Sequence, residues 1–145
     1  RTSLRVNTNS GSNARVFHHV RSSRGSMRLD KLTKAAVAAL DDIKGRNTVV
    51  LDVRKMTSLF DKMIVTSADS ARQGKALSKH LQEKMKALGA RVHSVEGERV
   101  GEWILVDLGF LVVHIMQAAT RRHYNLEELW APPLRARRRR AASAS

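Results

Sequence analysis

Residues 103–117 read WILVDLGFLVVHIMQ and carry the clearest secondary-structure pattern in the chain. It contains two apolar runs of strand length, 103–108 and 111–117, both rich in the β-branched and aromatic residues that favour extended structure. Between them, Asp107-Leu108-Gly109-Phe110 supplies a glycine of the kind that tight turns use. The sequence therefore predicts a β-hairpin at this point.

The first strand of this hairpin has two different faces, because successive side chains of a strand point to opposite sides of the sheet. One face is uniformly aliphatic and is predicted to be buried: Ile104, Val106 and Leu108. The other face is predicted to be more accessible and carries Trp103, Leu105 and Asp107. From the second strand, we expect Val113, Ile115 or Gln117 to join the accessible face.

The segments around the hairpin predict further strands and helices. Short β-branched runs indicate strands, and apolar residues at helical spacing indicate two amphipathic helices. Asp69 and Ser70 can both cap the second of these helices, and Gly89 ends it. The order α, β, β, α, β, β, β, α predicts an α/β fold in which a five-stranded mixed sheet is flanked by helices. The expected strands are 49–53, 62–66 and 91–95. The expected helices are 29–44, a second one between the caps at 69–70 and Gly89, 119–124 and 126–130.

The amino-acid composition limits the class of protein. A chain of 145 residues with 42% hydrophobic residues is sized for one domain with a single core. The absence of cysteine excludes a disulfide scaffold, a thiolate zinc site and a cysteine nucleophile. The most apolar stretch, 103–116, is interrupted by Asp107, Gly109 and His114 and is shorter than the roughly 20 residues of a membrane-spanning helix. We therefore expect a soluble protein without a membrane partner.

Positive charge is concentrated at the two ends of the chain. The formal net charge is +14, but residues 1–26 hold five arginines and no acid, and residues 135–140 hold five more arginines. The middle, 27–134, carries 17 basic and 13 acidic residues. The overall charge is therefore weak support for nucleic-acid binding by the central domain.

Both ends are expected to be disordered and to lie outside the folded domain. Residues 1–26 are rich in Ser, Arg and Asn and show no structural periodicity. Arg24-Gly25-Ser26 before Met27 resembles the remnant of an expression tag, and an organellar transit peptide is the alternative. Pro132-Pro133 ends regular structure before a basic tail. The expected division is a 1–26 arm, a 27–131 domain and a 132–145 tail.

The segment from Glu96 to Trp103 is the most acidic part of the domain. Glu96, Glu98 and Glu102 surround a single arginine, Arg99, next to an indole that could anchor an interface. Such a negative patch would orient encounter with a basic protein. The alternative is that Trp103 points into the core and the glutamates only solvate a loop.

Catalytic and metal-binding motifs are weak in this sequence. A metal-dependent nucleotidyl transferase needs clustered carboxylates and a loop that cradles phosphate, but the nearest carboxylates, Glu96, Glu98 and Asp107, have no glycine loop beside them. The histidines at 80, 93, 114 and 123 lack metal-ligand spacing, and no Gly-x-Ser-x-Gly turn is present. We predict a protein that is not an enzyme and has no metal and no cofactor.

Several motifs together resemble the ribosomal silencing factor family, also called the Iojap family. The resemblance covers about 30–130, and its one visible departure is 66–70, where the family has a small glycine-containing segment. The matching residues are VEGERVGEWILVDLG at 95–109, VVHIMQ at 112–117, Arg121, Tyr124, LEELW at 126–130, LDV at 51–53, LFDKMIV at 59–65 and KAL at 75–77.

The resemblance implies a nucleotidyltransferase-like fold without the transferase activity. It also implies binding to the fourteenth protein of the large ribosomal subunit, on the intersubunit face, which hinders joining of the small subunit and represses translation. We accordingly expect a bacterial cytoplasmic location rather than an organellar one. The expected partner-binding residues are Glu98, Arg99, Glu102, Trp103, Asp107 and Tyr124.

A different function would rest on the basic tail. Its arginines could neutralise RNA phosphates without sequence preference, either as an auxiliary rRNA contact or as the main activity of an RNA-binding accessory protein. With six aromatic residues in the chain and no aromatic stripe on a strand, a base-stacking sheet is not expected. The sequence leaves homodimer formation open. The tail residues are Arg135, Arg137, Arg138, Arg139 and Arg140.

Overall fold

The computed structural model describes residues 28–130, which form a mixed α/β domain with one five-stranded sheet. The predicted fold class and element order are confirmed, with bounds that differ by a few residues. The predicted arm at 1–26 and tail at 132–145 lie outside the described residues. In chain order the elements are α1 (28–42), β1 (Arg46–Asp52), β2 (Lys62–Ala68), α2 (Ala71–Ala87), β3 (Ser94–Glu96), β4 (Trp103–Asp107), β5 (Leu111–Gln117), α3 (Ala118–Tyr124) and α4 (Leu126–Leu129).

The sheet has the strand order β1-β2-β5-β4-β3. Strands β2 and β5 pair in parallel, and the other three pairs are antiparallel, so the sheet is mixed as predicted. Parallel pairing needs a long crossover connection, and α2 lies in the connection between β2 and β5. Both central strands are buried along almost their whole length, which accounts for their nearly continuous apolar sequences.

Helices α1 and α2 cover one face of the sheet and form the larger core cluster with it. Helix α2 begins at Ser70, whose hydroxyl accepts a hydrogen bond from the Gln73 amide at 3.0 Å. Its buried side includes Leu77, Leu81 and Met85, which pack with aliphatic side chains of β4 and β5. The alternating burial of β4 confirms the predicted inward face of Ile104, Val106 and Leu108.

The opposite face of the sheet carries a smaller cluster that the short helices α3 and α4 cover only in part. Its fully enclosed members include Met63, Val65 and Met116. Phe60, Leu105, Trp103 and Trp130 pack against these residues but keep some exposure. This second face is therefore where apolar groups of the domain reach solvent.

The register of the β4–β5 hairpin corrects one prediction. Leu108 donates its amide to the Leu111 carbonyl at 2.9 Å, so Gly109 and Phe110 form a two-residue connection. Even-numbered residues of one strand therefore lie opposite odd-numbered residues of the other. The expectation that Val113, Ile115 or Gln117 would join the accessible face is wrong, because cross-strand partners share a face. The observed pairs on that face are Trp103 with Met116, Leu105 with His114 and Asp107 with Val112.

Within residues 28–130, no helix has the length and apolar character needed to cross a bilayer.

Candidate functional site

Trp103 occupies the start of β4 on the partly covered face of the sheet. Its indole N–H donates a hydrogen bond to Nδ1 of His114 at 3.0 Å, across the hairpin. The ring of Tyr124, the last residue of α3, lies 4.7 Å from the indole, centroid to centroid, with the planes tilted by 50°. We call these three residues and Leu105 the indole surface.

His114 holds the indole without adding charge. The side chain is only 8% exposed, and burial lowers the pKa of His114 from 6.5 to about 4. The imidazole is therefore neutral at physiological pH. Because an indole can only donate, Nδ1 is the unprotonated nitrogen and Nε2 carries the proton.

Tyr124 is the most exposed member of the indole surface. It is 54% accessible, although one side of its ring is packed on Trp103 and His123 lies at 4.8 Å in an edge-on arrangement. Helix α3 ends directly after it, at Asn125, which takes the left-handed conformation with φ 48°. An amphipathic aromatic held at the surface in this way can anchor a partner through its face and its hydroxyl.

A partly buried ion pair fixes α3 and so the position of Tyr124. Arg121 is 9% exposed, and its guanidinium donates to Glu127 Oε2 at 2.9 and 3.0 Å and to the Ser67 hydroxyl at 2.8 Å. The same guanidinium reaches the Arg46 carbonyl at 3.5 Å. These contacts join α3 to α4 and to strands β1 and β2. Sequence reasoning assigned Arg121 no role, because its burial depends on Ser67, which is 54 positions away.

The structure does not bring Glu98 and Arg99 together with the indole surface. Glu98 Oε2 accepts hydrogen bonds from the Ser78 hydroxyl at 3.0 Å and the Gln82 amide at 3.3 Å, both on α2. Arg99 is exposed and lines a groove beside α2. Both residues thus lie toward the helix-covered face, opposite Trp103.

Two glycines explain why the chain between β3 and β4 crosses to α2. Gly97 and Gly101 have φ values of +86° and +83°, which residues with a side chain rarely adopt. A Cβ at Gly101 would lie 2.8 Å from Ala71 Cβ at the start of α2, and one at Gly97 would collide with the Trp103 carbonyl oxygen. Their backbones therefore pack where side chains cannot, and they direct Glu98 and Arg99 toward the helix.

The two other predicted acids lie at opposite ends of β4, and the alternation of the strand places Asp107 on the face that carries Trp103. Glu102 is exposed immediately before Trp103, and its backbone carbonyl accepts from the Gln117 amide at 3.0 Å. Asp107 is partly buried, and its Oδ1 accepts from the Gly109 amide at 2.8 Å, which stabilises the hairpin turn. The partner-binding role of all six predicted residues stays a prediction.

Between residues 28 and 130, no three His, Asp or Glu side chains are grouped so that they could hold a metal ion.

Comparison with known proteins identifies relatives over most of the chain. The family model described as "Ribosomal silencing factor during starvation" matches residues 26–144. The ribosomal silencing factor RsfS of Chromobacterium violaceum is 47% identical over 104 residues, which is 72% of this chain and 85% of that protein. The Haemophilus influenzae protein of the same name is 40% identical, covering 69% of this chain and 98% of its own length. A crystal structure of a Chromobacterium violaceum protein, 48% identical, has a TM-score of 0.69 over 70% of this chain and 84% of that one.

Proposed function

Because this chain belongs to the ribosomal silencing factor family, we propose that it represses translation by occupying a protein site on the large ribosomal subunit. The resemblance noted above names the fourteenth large-subunit protein, on the intersubunit face, as the partner. A domain of about 100 residues has a radius of gyration of about 13 Å. Bound at that face, it would stand in the path of the small subunit, so no catalytic step is needed.

The observation that carries this proposal is the indole surface. Large aromatic side chains dominate the free energy of many interfaces, where truncation of a central one costs about 2 kcal/mol or more. Trp103 is held between His114 and Tyr124 before any partner arrives, so little side-chain entropy is lost on binding. The partly exposed apolar cluster around it supplies the rest of an interface core.

An acidic residue on the same face suits a basic partner. Asp107 lies on the face of β4 that carries Trp103, and Glu102 is the exposed residue immediately before the strand. Carboxylates at the rim of an interface speed and orient the encounter with a cationic surface more than they add to affinity. Glu98 and Arg99 face α2 instead, and we do not include them in the proposed interface.

The test is co-sedimentation of the full-length chain with purified large subunits, followed by addition of small subunits. The proposal predicts that the chain sediments with large subunits and lowers the yield of joined ribosomes in proportion to its occupancy. A chain that stays in the supernatant at moderate salt, or that binds without changing the yield, would contradict it.

A second candidate function rests on the five arginines between 135 and 140. They lie outside the described residues, and their density would suit a sequence-independent contact with rRNA. Truncation after Leu134 separates the two candidates. The leading proposal predicts a mild loss of large-subunit binding, whereas an RNA-binding accessory protein would lose nearly all binding and most of its salt dependence.

A further inference from the structure

A basic groove lies along the outer side of α2, on the helix-covered side of the sheet. It has a volume of about 530 Å³ and runs between α2 and the loop that carries Arg99. Three of its basic residues come from the helix: Lys75, Lys79 and Lys86. The geometry points to a binding surface for the phosphate backbone of RNA, separate from both the indole surface and the arginine tail.

The three lysines form a straight row. At 100° per residue they lie within about 40° of one another around the helix axis, and at 1.5 Å per residue they span about 16 Å along it. A nucleic-acid strand in a helix carries one phosphate per about 3.4 Å of axis, so such a row passes about four or five phosphates. The buried residues Leu77, Leu81 and Met85 lie on the other side of α2, which leaves the lysine row facing solvent.

These cations are available for an external anion. Across residues 28–130, no salt bridge involves Lys75, Lys79, Lys86 or Arg99. Two carboxylates, Glu83 and Glu98, also line the groove. Glu98 Oε2 already accepts hydrogen bonds from Ser78 and Gln82. Helix α2 as a whole carries five Lys or Arg residues and one Glu.

The composition of the groove favours RNA over an acidic protein. Protein interfaces have an apolar or aromatic centre, and no aromatic or large aliphatic side chain lines this groove among the described residues. The same lack of aromatics argues against base stacking. A row of long, flexible cations without an apolar anchor fits a polymer that presents regularly spaced charge, and the expected binding is independent of sequence.

The test measures binding of the full-length chain to a fluorescein-labelled 20-nucleotide RNA by anisotropy, as a function of KCl concentration. The test variant is Lys75→Glu with Lys79→Glu. The control, Lys31→Glu with Lys34→Glu, makes the same charge change on exposed positions of α1. Helix α1 packs beside α2 on the side where His80 bonds to Asp42 at 3.0 Å, away from the lysine row. Circular dichroism checks that all variants fold.

We expect the test variant to lower RNA affinity at least tenfold relative to the control. The slope of log K against log salt should fall by about 1.4, because each lost phosphate contact removes about 0.7 for a single strand. A test variant that binds RNA like the control would overturn the inference. A tenfold loss of affinity for polyglutamate, with RNA binding unchanged, would also overturn the inference, because that result assigns the groove to an acidic protein.

The outcome is independent of the proposed ribosomal function. Trp103→Ala should leave RNA binding unchanged, because the indole lies on the other side of the sheet. If the lysine variant binds RNA like the control while Trp103→Ala still weakens large-subunit binding, the proposed groove is refuted and the indole interface is not. If the lysine variant loses RNA affinity while Trp103→Ala binds large subunits like the parent, the indole interface is refuted and the groove is not.

Discussion

Trp103 and His114 face each other across the β4–β5 hairpin, and the indole N–H donates to His114 Nδ1 at 3.0 Å. Trp103 is partly buried and belongs to the proposed interface, while His114 is nearly buried and neutral. The core of the domain thus determines the orientation of a surface residue.

Replacing His114 tests whether the hydrogen bond positions the indole. His114→Phe keeps an aromatic ring but removes the acceptor, which should lower the free energy of unfolding by about 1 kcal/mol. In a Trp130→Phe background, where Trp103 is the one remaining tryptophan, the emission spectrum should also broaden as the indole loses its fixed orientation. His114→Asn retains an acceptor near the same place and should preserve more of the large-subunit affinity than the Phe variant. Large-subunit affinity is measured for both variants and corrected for the unfolded fraction of each, which urea unfolding provides. Equal affinities of the Phe and Asn variants would show that the bond has no positioning role.

The stability of the domain should depend on pH through His114. The pKa of this histidine is lowered to about 4 in the folded state, from 6.5 in the unfolded state, because burial disfavours the charged ring. The unfolded chain therefore binds the proton first, and stability is lost as the pH falls from about 6.5 toward 4. Between pH 7.5 and pH 5 this group alone should cost about 2 kcal/mol.

The matched measurement compares urea unfolding of the parent and His114→Asn at these two pH values. The Asn variant lacks the titrating ring, so its loss of stability on acidification should be smaller by about 2 kcal/mol. Parallel pH profiles for the two proteins would contradict the assignment of a buried neutral imidazole.

Arg121 should be necessary for the placement of α3. Arg121→Met leaves Glu127 and Ser67 without their cationic partner and should lower the free energy of unfolding by about 3 kcal/mol. Adding Glu127→Gln should restore part of that loss, because the uncompensated carboxylate is removed. Chemical denaturation of the two single variants and the double variant gives the coupling energy. Additive effects would mean that the pair does not act as a unit.

Alanine substitutions at Gly97 and Gly89 distinguish the cost of a steric clash from the cost of backbone strain. Both have positive φ, but a Cβ at Gly97 would meet the Trp103 backbone, whereas one at Gly89 would only approach Arg28 at 3.9 Å. Gly89→Ala should cost about 1 kcal/mol of stability from its φ alone. Gly97→Ala should cost at least about 1 kcal/mol more and should weaken large-subunit binding, since it displaces Trp103. Thermal unfolding midpoints of the two variants provide the comparison, and equal shifts would refute the steric account.

Much of the fold could be predicted from local sequence patterns. The alternation in β4 identified its buried face, and the stripe from Leu77 to Met85 after the candidate caps Asp69 and Ser70 identified α2, because both patterns are set by the geometry of one element. The strand partners in the hairpin were predicted one residue out of place. That register depends on a turn of two residues, and the sequence of the turn allowed more than one length.

The candidate site was predicted less completely, because it depends on contacts between distant elements. Glu98 and Trp103 are close in sequence, and the left-handed backbone at Gly97 and Gly101 separates them onto different sides of the domain. The roles of His114 and Arg121 likewise arise from partners that pairing and helix docking bring together. A lone histidine in an apolar strand carries no local signal that it will accept a bond from an indole.

Binding of the indole surface to a protein of the large subunit is the basis of the proposed function. Its most direct test is the affinity of the full-length chain for the purified fourteenth large-subunit protein, measured by isothermal titration calorimetry for the parent, Trp103→Ala and Leu59→Ala. Leu59 is 82% exposed in the connection between β1 and β2, so its truncation controls for the loss of an exposed apolar side chain. The account predicts that Trp103→Ala weakens binding about thirtyfold or more, equivalent to about 2 kcal/mol, while Leu59→Ala binds like the parent. Parent-like affinity of a folded Trp103→Ala chain would contradict it.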